Sequence, residues 1–204
     1  VCDAVLRFIQ DGDVIDIGSN IGLIALGVNL QSNSKIHCFE CNASTFECLR
    51  YNTEPHSNIF IYNFAITDKP QVCSMAINEF NLECNQIRTA FDVNSKEYAH
   101  SSTSYTFKTN NEITAGLPMD LFVNMFNKID VIKIDVEGFE YQVLLGAKSL
   151  IALHQPAIII EIFNEYFNKI NEILKNYNYM LLETLYDHNY IYVYIGVPTN
   201  GSGV

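Results

Sequence analysis

The chain has 204 residues, 49% of them hydrophobic and 17% charged, which suits one soluble globular domain with a sizeable core. No stretch approaches the ~18 uninterrupted apolar residues of a membrane helix. The formal net charge is −11 and the 12 Lys and Arg are scattered, so a nucleic-acid partner, which needs a basic stripe, is disfavoured.

The chain starts at Val1 rather than Met, and no signal peptide is visible. Residues 14–17 read as a strand. Residues 21–30 read as a helix, with Ile21, Ile24, Ala25 and Val28 on one face. Residues 35–40 are a second strand. Asn42-Ala43-Ser44 matches a glycosylation sequon but lies where a helix should start, so a turn or cap role is expected. Ser44-Thr45-Phe46-Glu47 has the capping-box pattern, and Phe46, Leu49 and Arg50 continue a helix. Residues 58–66 are a third strand. The alternation argues for a parallel sheet covered by helices.

Residues 71–116 break the rhythm and read as an insert within a single domain spanning 1–204. Residues 71–77 and 104–108 are candidate strands. The polar stretch between them, with Glu97, Tyr98 and His100, reads as a disordered loop or a substrate-covering lid, the lid being preferred. The alternation then resumes: a short helix at 118–126, a strand at 129–135, a helix at 140–153, a strand at 157–162 and a helix at 165–176. Strands at 179–184 and 190–195, joined by a short loop, predict an antiparallel final strand. Of the six cysteines (Cys2, Cys38, Cys41, Cys48, Cys73, Cys84), Cys38 and Cys41 come closest to a paired motif. Cys38 falls inside a strand, however, and no second pair completes a zinc set. Free thiols and a cytoplasmic setting are expected.

The chemistry gathers at "DVIDIGSNIG", residues 13–22. Gly18 permits a sharp strand-to-helix turn, and Gly22 lets backbone approach ligand or strand closely. The helix start should present free N–H groups. Glu40, roughly 20 residues on, stands where a doubly wound nucleotide site places an acid against ribose hydroxyls. Asn20 breaks the dinucleotide G-x-G-x-x-G spacing, which leaves an NAD-dependent oxidoreductase a distant reading. Asp16 would repel a phosphate and suit an ammonium or sulfonium, or would tie down the loop backbone. Asp135 and Glu137 end the fourth strand, where open α/β sheets bind ligands. A carboxylate there could take the proton of a hydroxyl acceptor or orient it. The alternative is structural: Lys133 buried and paired with Asp135 or Glu161. Glu161 points to the same rim, and His188 could reach it. His154 lies at the opposite edge. A metal held by Asp135, Glu137 and Glu161 is not expected.

"DVIDIGSNIGLIAL", "IHCFECNASTFECLRYN", "IDVIKIDVEGFEYQVLLGAKSLI" and "PAIIIEI" resemble, in order, the blocks of the FkbM-type methyltransferases, a class I S-adenosylmethionine-dependent family. Lys133 to Gly138 and Leu145 to Ala147 carry the specific part of the match. The resemblance implies an α/β, Rossmann-like class I methyltransferase fold: a seven-stranded, mostly parallel sheet ordered 3-2-1-4-5-7-6, last strand antiparallel, with helices on both faces. It implies S-adenosylmethionine as cofactor, with Gly18 and Asn20 at its methionine part, Glu40 at the ribose, and Ala65, Ile66 and Asp68 near the adenine. Cys41 replaces the family's usual Pro. Asp16, Ser19, Gly22, Cys41 and Asp135 complete the expected cofactor site, and Asp135, Glu137 and Glu161 form the expected catalytic set. The expected reaction is O-methylation of a small molecule or glycan. An RNA ribose methyltransferase, needing a basic groove, and a non-catalytic binding partner are the alternatives.

Overall fold

The computed structural model describes residues 1–76, 86–89, 112–186 and 188–196. Its first half runs α1 (Cys2–Leu6), β1 (Asp13–Ile17), α2 (Leu23–Asn29), β2 (Ile36–Phe39), α3 (Ala43–Thr53), β3 (Ile59–Tyr62), β4 (Ala65–Ile66), β5 (Gln71–Ala76) and β6 (Gln86–Thr89). Then come β7 (Ile113–Leu117), a 3₁₀ helix (Met119–Met125), β8 (Ile129–Ile134), α4 (Glu140–Gly146), α5 (Lys148–His154), β9 (Ala157–Glu161), α6 (Phe167–Asn176), β10 (Tyr179–Thr184) and β11 (Asn189–Tyr194). The possible strand at 104–108 and the polar stretch with Glu97, Tyr98 and His100 lie outside the described residues.

Seven strands form the main sheet in the order β10-β11-β9-β8-β1-β2-β3. Numbered along the chain, this is the expected 3-2-1-4-5-7-6. β11 runs antiparallel to both its neighbours, and the other pairings are parallel.

Strand alternation divides the core. Ile15, Ile17, Ile132, Ile134, Ile158 and Ile160 pack one face under residues of α4, α5 and α6. Val14, Ile36, Cys38, Val131 and Ile159 pack the other with Ala4, Val5, Ala25, Val28 and Leu49. Asp16 and Lys133 stand in register on neighbouring strands, where alternation assigns them to this second face. Glu161 follows Ile159 on that face by one pleat.

Several elements depart from the sequence expectation. The third strand breaks after Tyr62, where the Asn63 side-chain amide donates to the Glu40 carbonyl at 2.8 Å, diverting the chain from the main sheet. Ala65–Ile66 then joins a second sheet, β4-β7-β5-β6. The helix expected at 140–153 is two helices. A Cβ on Gly146 would stand 1.9 Å from the Thr67 carbonyl oxygen, so only glycine fits there. Asp120 restarts the helix by accepting the amides of Ser149 and Leu150 at 3.0 Å each. Asn42, not Ser44, is the N-cap of α3, accepting the Thr45 amide at 2.8 Å. Glu47 pairs with Arg50 instead of closing a capping box. α1 had no clear sequence signal.

Cys38 and Cys41 are spaced as C-x-x-C, but Cys38 is buried within β2 while Cys41 lies beyond its end; with Cys2, Cys48 and Cys73 they are free thiols. Cys84 is outside the described residues. Among the described residues, no helix is long and apolar enough to cross a membrane.

Candidate active site

The turn after β1 is built from left-handed residues: Gly18 has φ 80°, Asn20 49° and Gly22 91°. A Cβ on Gly18 would fall 1.7 Å from the Asp135 carbonyl oxygen, so glycine here seats the turn directly on the end of β8. At Gly22 the close neighbour is Leu49 of α3, a helix contact in place of the expected ligand or strand.

The amides of the turn itself are largely engaged by the protein. Gly18 and Ser19 both donate to the Phe39 carbonyl, at 2.9 and 3.1 Å, and Gly22 donates to Ser19 at 2.9 Å. Asn20 donates to Glu40 Oε2 at 3.0 Å, and Asn42 donates to Glu40 Oε1 at 2.8 Å. The buried Glu40 therefore clamps the turn, each of its oxygens accepting one of these amides. Burial pushes its carboxyl up, against the pull of the Asn42 and Asn20 amides.

Asp16 sits beneath the turn, 1% exposed, and its charge faces Lys133 Nζ at 3.5 Å. Neither carboxylate oxygen has a well-formed hydrogen-bond partner among the described residues. It is the Asp16 backbone carbonyl, not the side chain, that ties the loop, by accepting the Ser19 hydroxyl at 2.7 Å. Lys133 also lies 3.2 Å from Asp135 Oδ2 and donates to the Gly18 carbonyl at 3.2 Å. Burial works against its ammonium, but the charges of Asp16 and Asp135 outweigh it, and Lys133 is held above the ordinary lysine range.

At the rim, Asp135, Glu137 and Glu161 are half-buried, with one ligand oxygen from each within 4.8 Å of the others. Three carboxylates so close cannot all stay charged without compensation; that spacing would also admit a hard cation. Burial, then the charge and hydrogen bond of Asp135, then Glu137 and Glu140, push Glu161 up to about 9. Glu137 carries φ 55° and Gly138 φ 101°. A left-handed glutamate costs ~1–2 kcal/mol, and Glu140 fastens the turn that holds it, accepting the amides of Val136 at 3.3 Å and Gly138 at 2.9 Å. Burial pushes Glu140 up to about 7.

The structure thus brings Asp16, Gly18, Ser19, Asn20, Gly22, Glu40 and Asp135 around one turn, with Glu137 and Glu161 at its edge. Ala65 and Ile66 are 2% exposed and paired in the second sheet, and Ile66 belongs to the core. Asp68 is exposed and accepts from Gln71 at 3.3 Å. His188 is exposed beside the end of β9: its carbonyl accepts the Ile162 amide at 2.9 Å and its ring centroid is 6.2 Å from that of Phe163. Glu140 was missed as a site residue. Its signal, an acid in the first turn of a helix just after a Glu-Gly pair, is visible in the sequence.

The family model described as Methyltransferase FkbM domain matches residues 16–181. A search of curated proteins returned no match. Among solved structures, the FkbM methyltransferase from Methylobacillus flagellatus KT is 18% identical, with TM-score 0.61 over 94% of this chain and 45% of that one; this chain therefore spans less than half of that protein. The precorrin 8w decarboxylase from Methanobacterium thermoautotrophicum is 12% identical, with TM-score 0.52 over 95% of this chain and 86% of that one. Aeropyrum pernix fibrillarin, solved with natively bound S-adenosyl-L-methionine, is 10% identical, with TM-score 0.51 over 94% of this chain and 73% of that one. At these identities the structural likeness is one of fold.

Proposed function

Because the chain belongs to the FkbM methyltransferase domain family, we propose that it is an S-adenosylmethionine-dependent O-methyltransferase acting on a hydroxyl of a small molecule or glycan. One observation carries this reading. Gly18 is seated on the Asp135 carbonyl, so the cofactor turn and the rim of carboxylates are a single continuous site.

The donor set fits the cofactor. Asp16, Glu40, Asp135 and Glu137 surround the turn with carboxylates, which Lys133 offsets only in part. Such a field suits an ammonium and a sulfonium and repels a pyrophosphate. Glu40 would hold the ribose hydroxyls, and the turn from Gly18 to Gly22 the methionine part. When bound, the cofactor supplies an electrophilic methyl group. The chain's own part is to hold the acceptor oxygen close and take its proton. The Asp135 side chain is 34% exposed, so an acceptor hydroxyl can reach it, and its carboxylate would receive that proton. Glu137 and Glu161 would orient the hydroxyl. The same acidic rim disfavours a phosphate-bearing acceptor such as RNA.

Calorimetry with S-adenosylhomocysteine tests the cofactor. Transfer of a labelled methyl group to a panel of polyols, glycans and RNA oligonucleotides tests the acceptor. No binding of S-adenosylhomocysteine would overturn the reading, and methylation confined to RNA would overturn its acceptor half.

A further inference from the structure

Lys133 is 6% exposed and faces three oxygens from three places: the Gly18 carbonyl at 3.2 Å, Asp135 Oδ2 at 3.2 Å and Asp16 Oδ1 at 3.5 Å. An ammonium has three N–H bonds to offer. A lysine needed only to neutralise Asp16, its in-register neighbour on β1, would not have to reach a carbonyl of the cofactor turn and a carboxylate of the acceptor rim as well. We infer that Lys133 is a positioning residue for the methyl transfer proposed above, its ammonium fastening the cofactor turn at Gly18 to the rim at Asp135. The inference rests on that reading of the site.

Asp135 pairs with Lys133 at 3.2 Å, and one of its carboxylate oxygens stands within 4.8 Å of one each from Glu137 and Glu161. The other ionisable groups that feel this ammonium are Asp16 from β1, Cys38 from β2 and Glu40 at its end. None is a cation, so nothing among them duplicates what Lys133 does. Its tie to Gly18 acts on the same peptide whose Cα is pressed on the Asp135 carbonyl. Cofactor turn and proton acceptor are thereby set by one side chain.

The test compares the unaltered protein with Lys133→Met and Lys133→Arg. Calorimetry with S-adenosylhomocysteine should show affinity falling at least about tenfold in Lys133→Met, with part of the loss recovered in Lys133→Arg. Thermal melts of the same variants read the fold separately: a purely structural lysine would lower the melting temperature and leave the affinity of the folded protein unchanged. If Lys133→Met does not fold, Lys133→Met combined with Asp16→Asn removes the buried pair together and carries the same expected loss of affinity. Unchanged affinity in a folded Lys133→Met protein, or no recovery in Lys133→Arg, would overturn the inference alone. Failure of the unaltered protein to bind S-adenosylhomocysteine would instead overturn the cofactor reading and this inference with it.

Discussion

Asp16 and Asp135 share one lysine yet sit in different surroundings, 1% and 34% exposed. Removing the charge from each should therefore do different things. Asp16→Asn leaves a buried ammonium short of a counter-charge, and the fold should lose ~3–5 kcal/mol. Asp135→Asn leaves a side chain that water still reaches, so the fold should survive while turnover falls by about 10²–10⁴. Thermal melts beside a methyl-transfer assay separate the two; a well-folded Asp135→Asn protein with near-normal turnover would rule out the proton-acceptor role. Glu40 is a third case. Its oxygens hold the amides of Asn20 and Asn42, and Glu40→Ala removes these together with the expected ribose contacts. Each charged hydrogen bond is worth ~1.5–3 kcal/mol, so affinity for S-adenosylhomocysteine should drop by at least tenfold in calorimetry.

The Leu145-Gly146-Ala147 block reads as part of a family motif, but its glycine acts between elements. α4 lies so close to the chain after β4 that a Cβ at position 146 would meet the Thr67 carbonyl at 1.9 Å. Gly146→Ala must push α4 away, at ~1–3 kcal/mol. Chemical denaturation should show the midpoint falling, and an unchanged midpoint would mean the helix has room to move. Contacts of this kind explain what the sequence could and could not reveal. The seven strands of the main sheet were legible because β-branched alternation is a local signal, whereas their order was implied by the family resemblance and not by any local pattern. The placing of Glu40 and Asp135 at strand ends was legible too. The break at Ala147 was not legible, because it depends on Thr67 and on a cap from Asp120, both far away in sequence. The split after Tyr62 falls where Asn63 meets the Glu40 carbonyl. The role of Lys133 needed the register of β1 against β8, which no local pattern encodes.

At the scale of the whole molecule, the rim carboxyls link folding to pH. An ordinary glutamate titrates near 4.5, whereas Glu161 is pushed up to about 9 and Glu140 to about 7. Between these values the folded chain holds protons that the unfolded chain has lost. Unfolding then releases them, and stability falls as pH rises, through about 7 for Glu140 and about 9 for Glu161. The melting temperature of the ligand-free protein should decline from pH 7 to pH 9 (~2 units, bracketed by those two values). Glu161→Gln, which has no proton to lose, should flatten that decline, and an equally steep decline in the variant would refute the linkage. The second sheet has a different consequence. β4 and β5, where the chain leaves the main sheet, both pair with β7, where it returns, and Gly116 stands opposite both Ala65 and Gln71. With its ends pinned side by side, the intervening segment can change length at little entropic cost to the rest of the chain. On the function proposed above, exchanging it between family members should shift acceptor preference and leave cofactor affinity behind, so that the two halves of specificity would be free to diverge at separate rates.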